Sequence, residues 1–165
     1  MLKIFYKPYL YYNLIIRNKI LKKRDTYSQF QEDLFLQKYF KDINDGFYVD
    51  IGCYHPVKYS NTALLYNKGW SGINLDLNQT SIDLFNIARR RDKNICAAIS
   101  NKNESTNFYF DHSLSSINTL NKEFSDFATK NISFKKHEKK EIKTYTFDSL
   151  INNFYLKLNK IDFLN

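Results

Sequence analysis

The chain has 165 residues, 43% of them apolar and 17% aromatic, about one domain's worth of sequence with enough apolar side chains to bury a core, so a disordered chain is excluded. Its formal charge of +8 is unevenly placed: Met1 to Arg24 holds Lys3, Lys7, Arg17, Lys19, Lys22, Lys23 and Arg24 and no acid. Removing those seven from 25 bases leaves 18 against 17 acids, so the basicity belongs to an arm and argues against nucleic acid as a partner, despite a second cluster at Lys135, Lys136, Lys139 and Lys140.

The arm, residues 1–24, predicts a helix starting near Pro8, with Leu10, Leu14, Ile16 or Arg17, and Leu21 near one face. Its apolar run from Tyr9 to Ile16 is shorter than the roughly 20 residues that a bilayer span needs. No small-residue cleavage site follows, so no secretory signal is expected. The arm reads as an amphipathic lid packed on the domain, with a peripheral anchor on anionic lipid as the alternative. Cys53 and Cys96 lack CxxC or metal-ligand spacing and read as small buried thiols in a reducing compartment. The expected location is cytoplasmic, with peripheral contact at the inner face of the membrane if the arm is an anchor, and no metal site is expected.

A domain over residues 25–165 follows. "TYSQFQEDLFLQKYF" offers Ser28 as a cap and Leu34, Phe35, Lys38 and Tyr39 at helical spacing, which predicts a helix to about Phe40. "FYVDIG" predicts a strand, "SNTALLYNKG" a helix capped by Ser60 or Asn61 and closed by Gly69, and "SGINLDL" a second strand. "TSIDLFNIARRR" predicts a helix with Ile82, Phe85 and Ile87 on its inner face, and "NICAAIS" a third strand. This alternation is the signature of a parallel, doubly wound sheet. "NFYFDHSLSSINTL" to "EIKTYTF" reads as a hairpin excursion before the helix "FDSLINNF", and "KIDFLN" as the start of a fourth strand.

In such sheets ligands sit beyond the carboxyl ends of the strands. Asp50 and Gly52 end the first strand and Asp76 ends the second, so the fold brings them to one rim, with Asp76 placed to accept hydrogen bonds from a ribose diol. The first turn, "DIGCYHP", has one glycine, bulky Tyr54 and His55, and a carboxylate, where a dinucleotide needs G-x-G-x-x-G to approach a pyrophosphate. A cationic sulfonium and ammonium suit that turn better, which favours S-adenosylmethionine. Either acid alone is as readily a local cap as a ligand. His55, before a proline in a tight turn, reads as structural, and neither His112 nor His137 reads as a general base, so no catalytic residue is assigned.

"SQFQEDLFL", "GFYVDIGCYHPVKYSNTALLYNKGWSGINLDLN", "AAIS" and "TFDSL" resemble, in order, the motifs of the FkbM-type methyltransferase family, from about Tyr27 to the last residue. The resemblance implies a Rossmann-like class I sheet, S-adenosylmethionine as donor, and O-methylation of a small-molecule or glycan acceptor such as a sugar. It implies a cofactor site lined by Asp50, Gly52, Asn61 and Asp76, with Gln29 and Glu32 near it. "DLNQ" keeps Asp76 and Asn78 but lacks the family's prolines. The family pattern continues after "IDFL" into a lysine-containing strand and D-x-E-G, so the expectation is an incomplete sheet, strands one to three and the start of a fourth, with weak or no turnover. The alternatives are a non-catalytic remnant and a binding module that uses the basic arm at a membrane or on nucleic acid.

Overall fold

A computed structural model describes residues 3–20, 24–154, 156, 158 and 160–165. The chain divides into two compact units, Met1–Cys96 with Leu158–Asn165, and Ala97–Lys157. Leu21 of the expected arm face lies outside the described residues.

The first unit is a mixed α/β layer built on a parallel sheet, consistent with part of a Rossmann-like methyltransferase fold. Strands β1 (Phe47–Ile51), β2 (Ser71–Asp76), β3 (Lys93–Cys96) and β7 (Phe163–Leu164) lie in the order β3-β2-β1-β7, every neighbouring pair parallel. β1 and β2 run through the core with buried stretches Tyr48–Asp50 and Gly72–Leu75, the continuous burial expected of strands covered on both faces. Helix α3 (Ala63–Asn67) links β1 to β2, and α4 (Gln79–Ala88) links β2 to β3. Asn78 caps α4 by accepting from the Thr80 amide at 3.0 Å. Ile82 and Phe85 are buried, as their spacing predicts, and pack with Cys53. Cys96, at the end of an outer strand, is exposed, so only one of the two thiols is the buried kind expected.

Helix α2 (Glu32–Tyr39) begins later than the Ser28 cap predicts. Ser28 instead donates to the Asp33 carboxylate at 2.6 Å, joined there by the Thr26 hydroxyl and the Tyr27 amide. Asp33 is fully buried; burial alone would raise its pKa, but the Ser28 and Thr26 hydroxyls and the Tyr27 amide hold it below the usual carboxylate range. Leu34, Phe35 and Tyr39 face outward, and the helix packs through Leu36 and the adjoining Phe40 against Tyr48, Leu65 and Trp70.

The arm is helical from Lys3, not from Pro8: α1 (Lys3–Tyr11) contains Pro8 and continues as a π-type helix, Tyr12–Ile20. Leu10 and Leu14 are buried, and the Tyr6 hydroxyl reaches Asp83 on α4 at 2.5 Å, so one face packs on the unit as a lid would. Among the described residues no helix is long and apolar enough to cross a membrane.

The second unit holds β4 (Ala98–Ile99), β5 (Ser105–Phe110), α5 (Lys122–Ala128), β6 (Glu138–Tyr145) and α6 (Phe147–Asn153). β5 and β6 form the expected antiparallel hairpin, from Ser105↔Lys143 to Phe110↔Glu138. β4 pairs parallel with β6, so "NICAAIS" divides: it leaves the first sheet at Cys96 and resumes in a separate one. Ala97 and Ala98 are both buried.

The approach of β1 to β2 rests on glycine. A Cβ at Gly72 would stand 2.3 Å from the Tyr48 carbonyl oxygen, inside van der Waals contact. Gly72→Ala therefore forces the two central strands apart, and urea titration should show a loss of about 2–3 kcal/mol. An unchanged midpoint would mean that the strands yield freely.

Candidate active site

The parallel register places Asp50 opposite Asn74 and Ile51 opposite Leu75, so the chain beyond Ile51 emerges beside Asp76. There it turns sharply. Gly52 has φ +74, a conformation glycine adopts without steric cost, and both its amide and that of Cys53 donate to the Leu75 carbonyl, at 2.8 and 3.1 Å. Tyr54 follows at φ 56 and donates its amide to Asp76 Oδ2 at 2.8 Å. Asp76 Oδ1 accepts from the Asn78 amide at 2.7 Å. Asp76 thus ties the first turn to the start of α4, and the local-cap reading describes its bonding accurately. Burial raises its pKa, the two amides oppose that, and the nearby Asp50 charge adds to it.

Asp50 is placed differently. It is fully buried, its Oδ2 accepting from the Thr62 hydroxyl at 2.7 Å and its Oδ1 from Asn165 Nδ2 at 2.8 Å. Asn165 Oδ1 in turn accepts from Asn61 Nδ2 at 2.8 Å. One carboxamide therefore bridges Asp50 and Asn61. Gln29 is exposed, and Glu32 turns back on its own segment, accepting from the Phe30 amide at 2.7 Å. The structure gathers Asp50, Gly52, Asn61 and Asp76 at the strand ends; Gln29 and Glu32 share none of their hydrogen bonds.

The space above Gly52 is open, for a Cβ built there meets nothing within 4 Å. The turn carries a single glycine and no phosphate cradle. A separate cavity of about 100 Å³, lined by Tyr27, Pro56, Val57, Ala63, Tyr66, Asn67, Ala88 and Arg89, contains none of the rim residues.

A buried network supports the rim from beneath. Arg89 donates to Thr62 Oγ1 (2.7 Å), Ser60 Oγ (2.7 Å), the Pro56 carbonyl (3.0 Å) and the Tyr48 hydroxyl (3.2 Å). Tyr48 donates onward to Asp92, which also accepts from the Gly72 amide and Asn74 Nδ2. The guanidinium thus reaches Asp50 through one hydroxyl and Asp92 through another. Sequence reasoning misses Arg89, because it ends a helix whose inner face is assigned to Ile82, Phe85 and Ile87. It misses Thr62 because the S-N-T stretch reads as a cap, whereas Thr62 precedes α3 with no side-chain cap bond.

His55 is structural, as its position before proline predicts. It is buried, Nδ1 accepting from the amides of Val57 (3.0 Å) and Lys58 (3.1 Å), with Nε2 2.9 Å from Asn13 Oδ1. That pattern assigns the proton to Nε2. Burial, aided by the charges of Lys58, Arg24, Arg89 and Arg17, lowers its pKa to about 3.

The model of the methyltransferase FkbM domain matches residues 50–165, which is 116 of the 165 residues. The chain belongs to the FkbM methyltransferase family. The FkbM match starts at Asp50 and takes in Gly52, Asn61 and Asp76, whereas Gln29 and Glu32 precede it. No curated protein and no solved structure matches the chain.

Proposed function

We propose that this FkbM-family chain binds S-adenosylmethionine at the β1–β2 rim and transfers its methyl group to a hydroxyl of a sugar or glycan-linked acceptor. The observation that carries the donor reading is the meeting of Asp50, Gly52 and Asp76 at the ends of β1 and β2, in a turn that has no phosphate cradle. When bound, S-adenosylmethionine would supply an electrophilic methyl group for an acceptor hydroxyl. Asp76 would hold the ribose diol with the lone pairs that the Tyr54 and Asn78 amides leave over. Asp50, enclosed by Thr62 and Asn165, would act through its negative field and through the Asn165–Asn61 bridge rather than by direct contact. Gly52 would let the donor approach the backbone, with Gln29 and Glu32 at the periphery. Two neighbouring carboxylates repel a pyrophosphate and favour a sulfonium, so the same rim selects against a dinucleotide.

Calorimetry tests the reading. S-adenosylhomocysteine should bind and NAD should not, and Asp76→Ala should weaken the former by about 10- to 100-fold, the worth of one or two hydrogen bonds to a charged group. Tighter binding of NAD, or unchanged affinity in a folded Asp76→Ala protein, would overturn it.

A further inference from the structure

We propose that the outward face of the amino-terminal helix docks on an anionic lipid surface. The helix has two unlike sides. Toward the unit, Leu10, Asn13, Leu14 and Asn18 are all buried, and Asn13 and Tyr6 hold the bonds to His55 and Asp83 already described. Away from it, Ile4 is 82% exposed, Ile20 64%, Phe5 60% and Ile16 42%, with Tyr11 and Tyr12 also open to solvent. That many aliphatic and aromatic side chains left outward on one helix is a binding surface rather than scattered surface apolarity.

Charge identifies the occupant. The first 24 residues carry seven bases and no acid, and Lys7 and Arg17 are exposed on the helix itself. Apolar side chains interleaved with bases, with tyrosines at the boundary, suit an interface of acyl chains beneath anionic headgroups. A second copy of the chain would press two wholly basic segments together, which Coulomb repulsion opposes. Nucleic acid would satisfy the bases but leave Ile4, Ile16 and Ile20 without apolar partners. Because Asn13 bonds to His55, docking also fixes the first turn of the β1–β2 rim close to the headgroups. This inference stands independently of methyl transfer.

The test is co-sedimentation of the full chain with vesicles of phosphatidylcholine alone and of phosphatidylcholine and phosphatidylserine in equal parts. The chain should sediment with the anionic vesicles and be released by high salt. Phe5→Ser and Ile16→Ser, both at exposed positions, should each lower partitioning by roughly ten-fold with an unchanged circular dichroism spectrum. Lys7→Ser should lower it by roughly five-fold. No sedimentation, or equal partitioning of the wild-type chain and the three variants, would overturn the proposal. So would a dimer that Phe5→Ser converts to monomer, or retention on DNA that Lys7→Ser weakens and Phe5→Ser does not.

Discussion

Arg89→Met is expected to lower unfolding free energy by about 3–5 kcal/mol, the cost typical of removing one member of a buried charge network. Methionine approximates the length of the side chain but donates nothing, so Thr62, Ser60, the Pro56 carbonyl and the Tyr48 hydroxyl each lose the same partner. Asp50 and Asp92 then remain inside the unit without the cation that their hydroxyl intermediaries connect them to. Lysine is a poor replacement, because one ammonium cannot reproduce the planar fork that reaches four acceptors at once. Urea denaturation checks this: the midpoint of Arg89→Met should fall sharply and that of Arg89→Lys nearly as far. A Met variant within about 1 kcal/mol of the wild type would mean that the network is held by its remaining members, since many single hydrogen bonds contribute about that much.

His55 gives the second large effect, and its sign is opposite to that of a salt-bridged histidine. The folded pKa, about 3, lies below the ordinary value of 6.5. The unfolded chain therefore binds the proton first, so the stability contributed by neutral His55 is complete above about pH 6.5 and is lost as the pH falls toward 3, at about 1.4 kcal/mol per pH unit. Asp76 and Asp92, whose pKa values burial raises, work in the other direction on acidification. Subtracting the profile of a His55→Gln variant isolates the histidine's share: the wild type should lose about 1.6 kcal/mol more than the variant between pH 6.5 and 5. Parallel profiles would show that the imidazole protonates without disturbing Asn13, Val57 or Lys58.

The strand ends were legible because each depends on local pattern. "FYVDIG" and "SGINLDL" are apolar runs terminated by an acid, and parallel pairing alone brings Asp50 and Asp76 to one rim. What each acid does there was not legible. The partners of Asp50 are Thr62 and Asn165, 12 and 115 residues away, and no spacing rule reports a bond of the second kind. Arg89 is hidden for the same reason: its burial depends on acceptors from β1 and from the segment before α3. The division of "NICAAIS" after Cys96 was also hidden, since the apolar run from Ile95 to Ile99 is unbroken in sequence and only the strand that each part pairs with separates β3 from β4. For α2, helical spacing located the element but not its inward side, because Leu34, Phe35 and Tyr39 are as apolar as the residues that face the core.

The neighbours of β1 differ greatly in when the chain can supply them. On one side Phe47 pairs with Ser71, 24 residues on; on the other Tyr48 pairs with Phe163, 115 residues on. Closing the longer loop costs about 1.4 kcal/mol more chain entropy than the shorter, and for a contact of only two residues, Phe163 and Leu164, that difference weighs heavily. β1, α3 and β2 are therefore expected to form the folding nucleus, with β7 docking late. Asp50 receives the Asn165 carboxamide only at that final step, so this bond is the last of the rim's hydrogen bonds to form and the first to be lost when the chain begins to open.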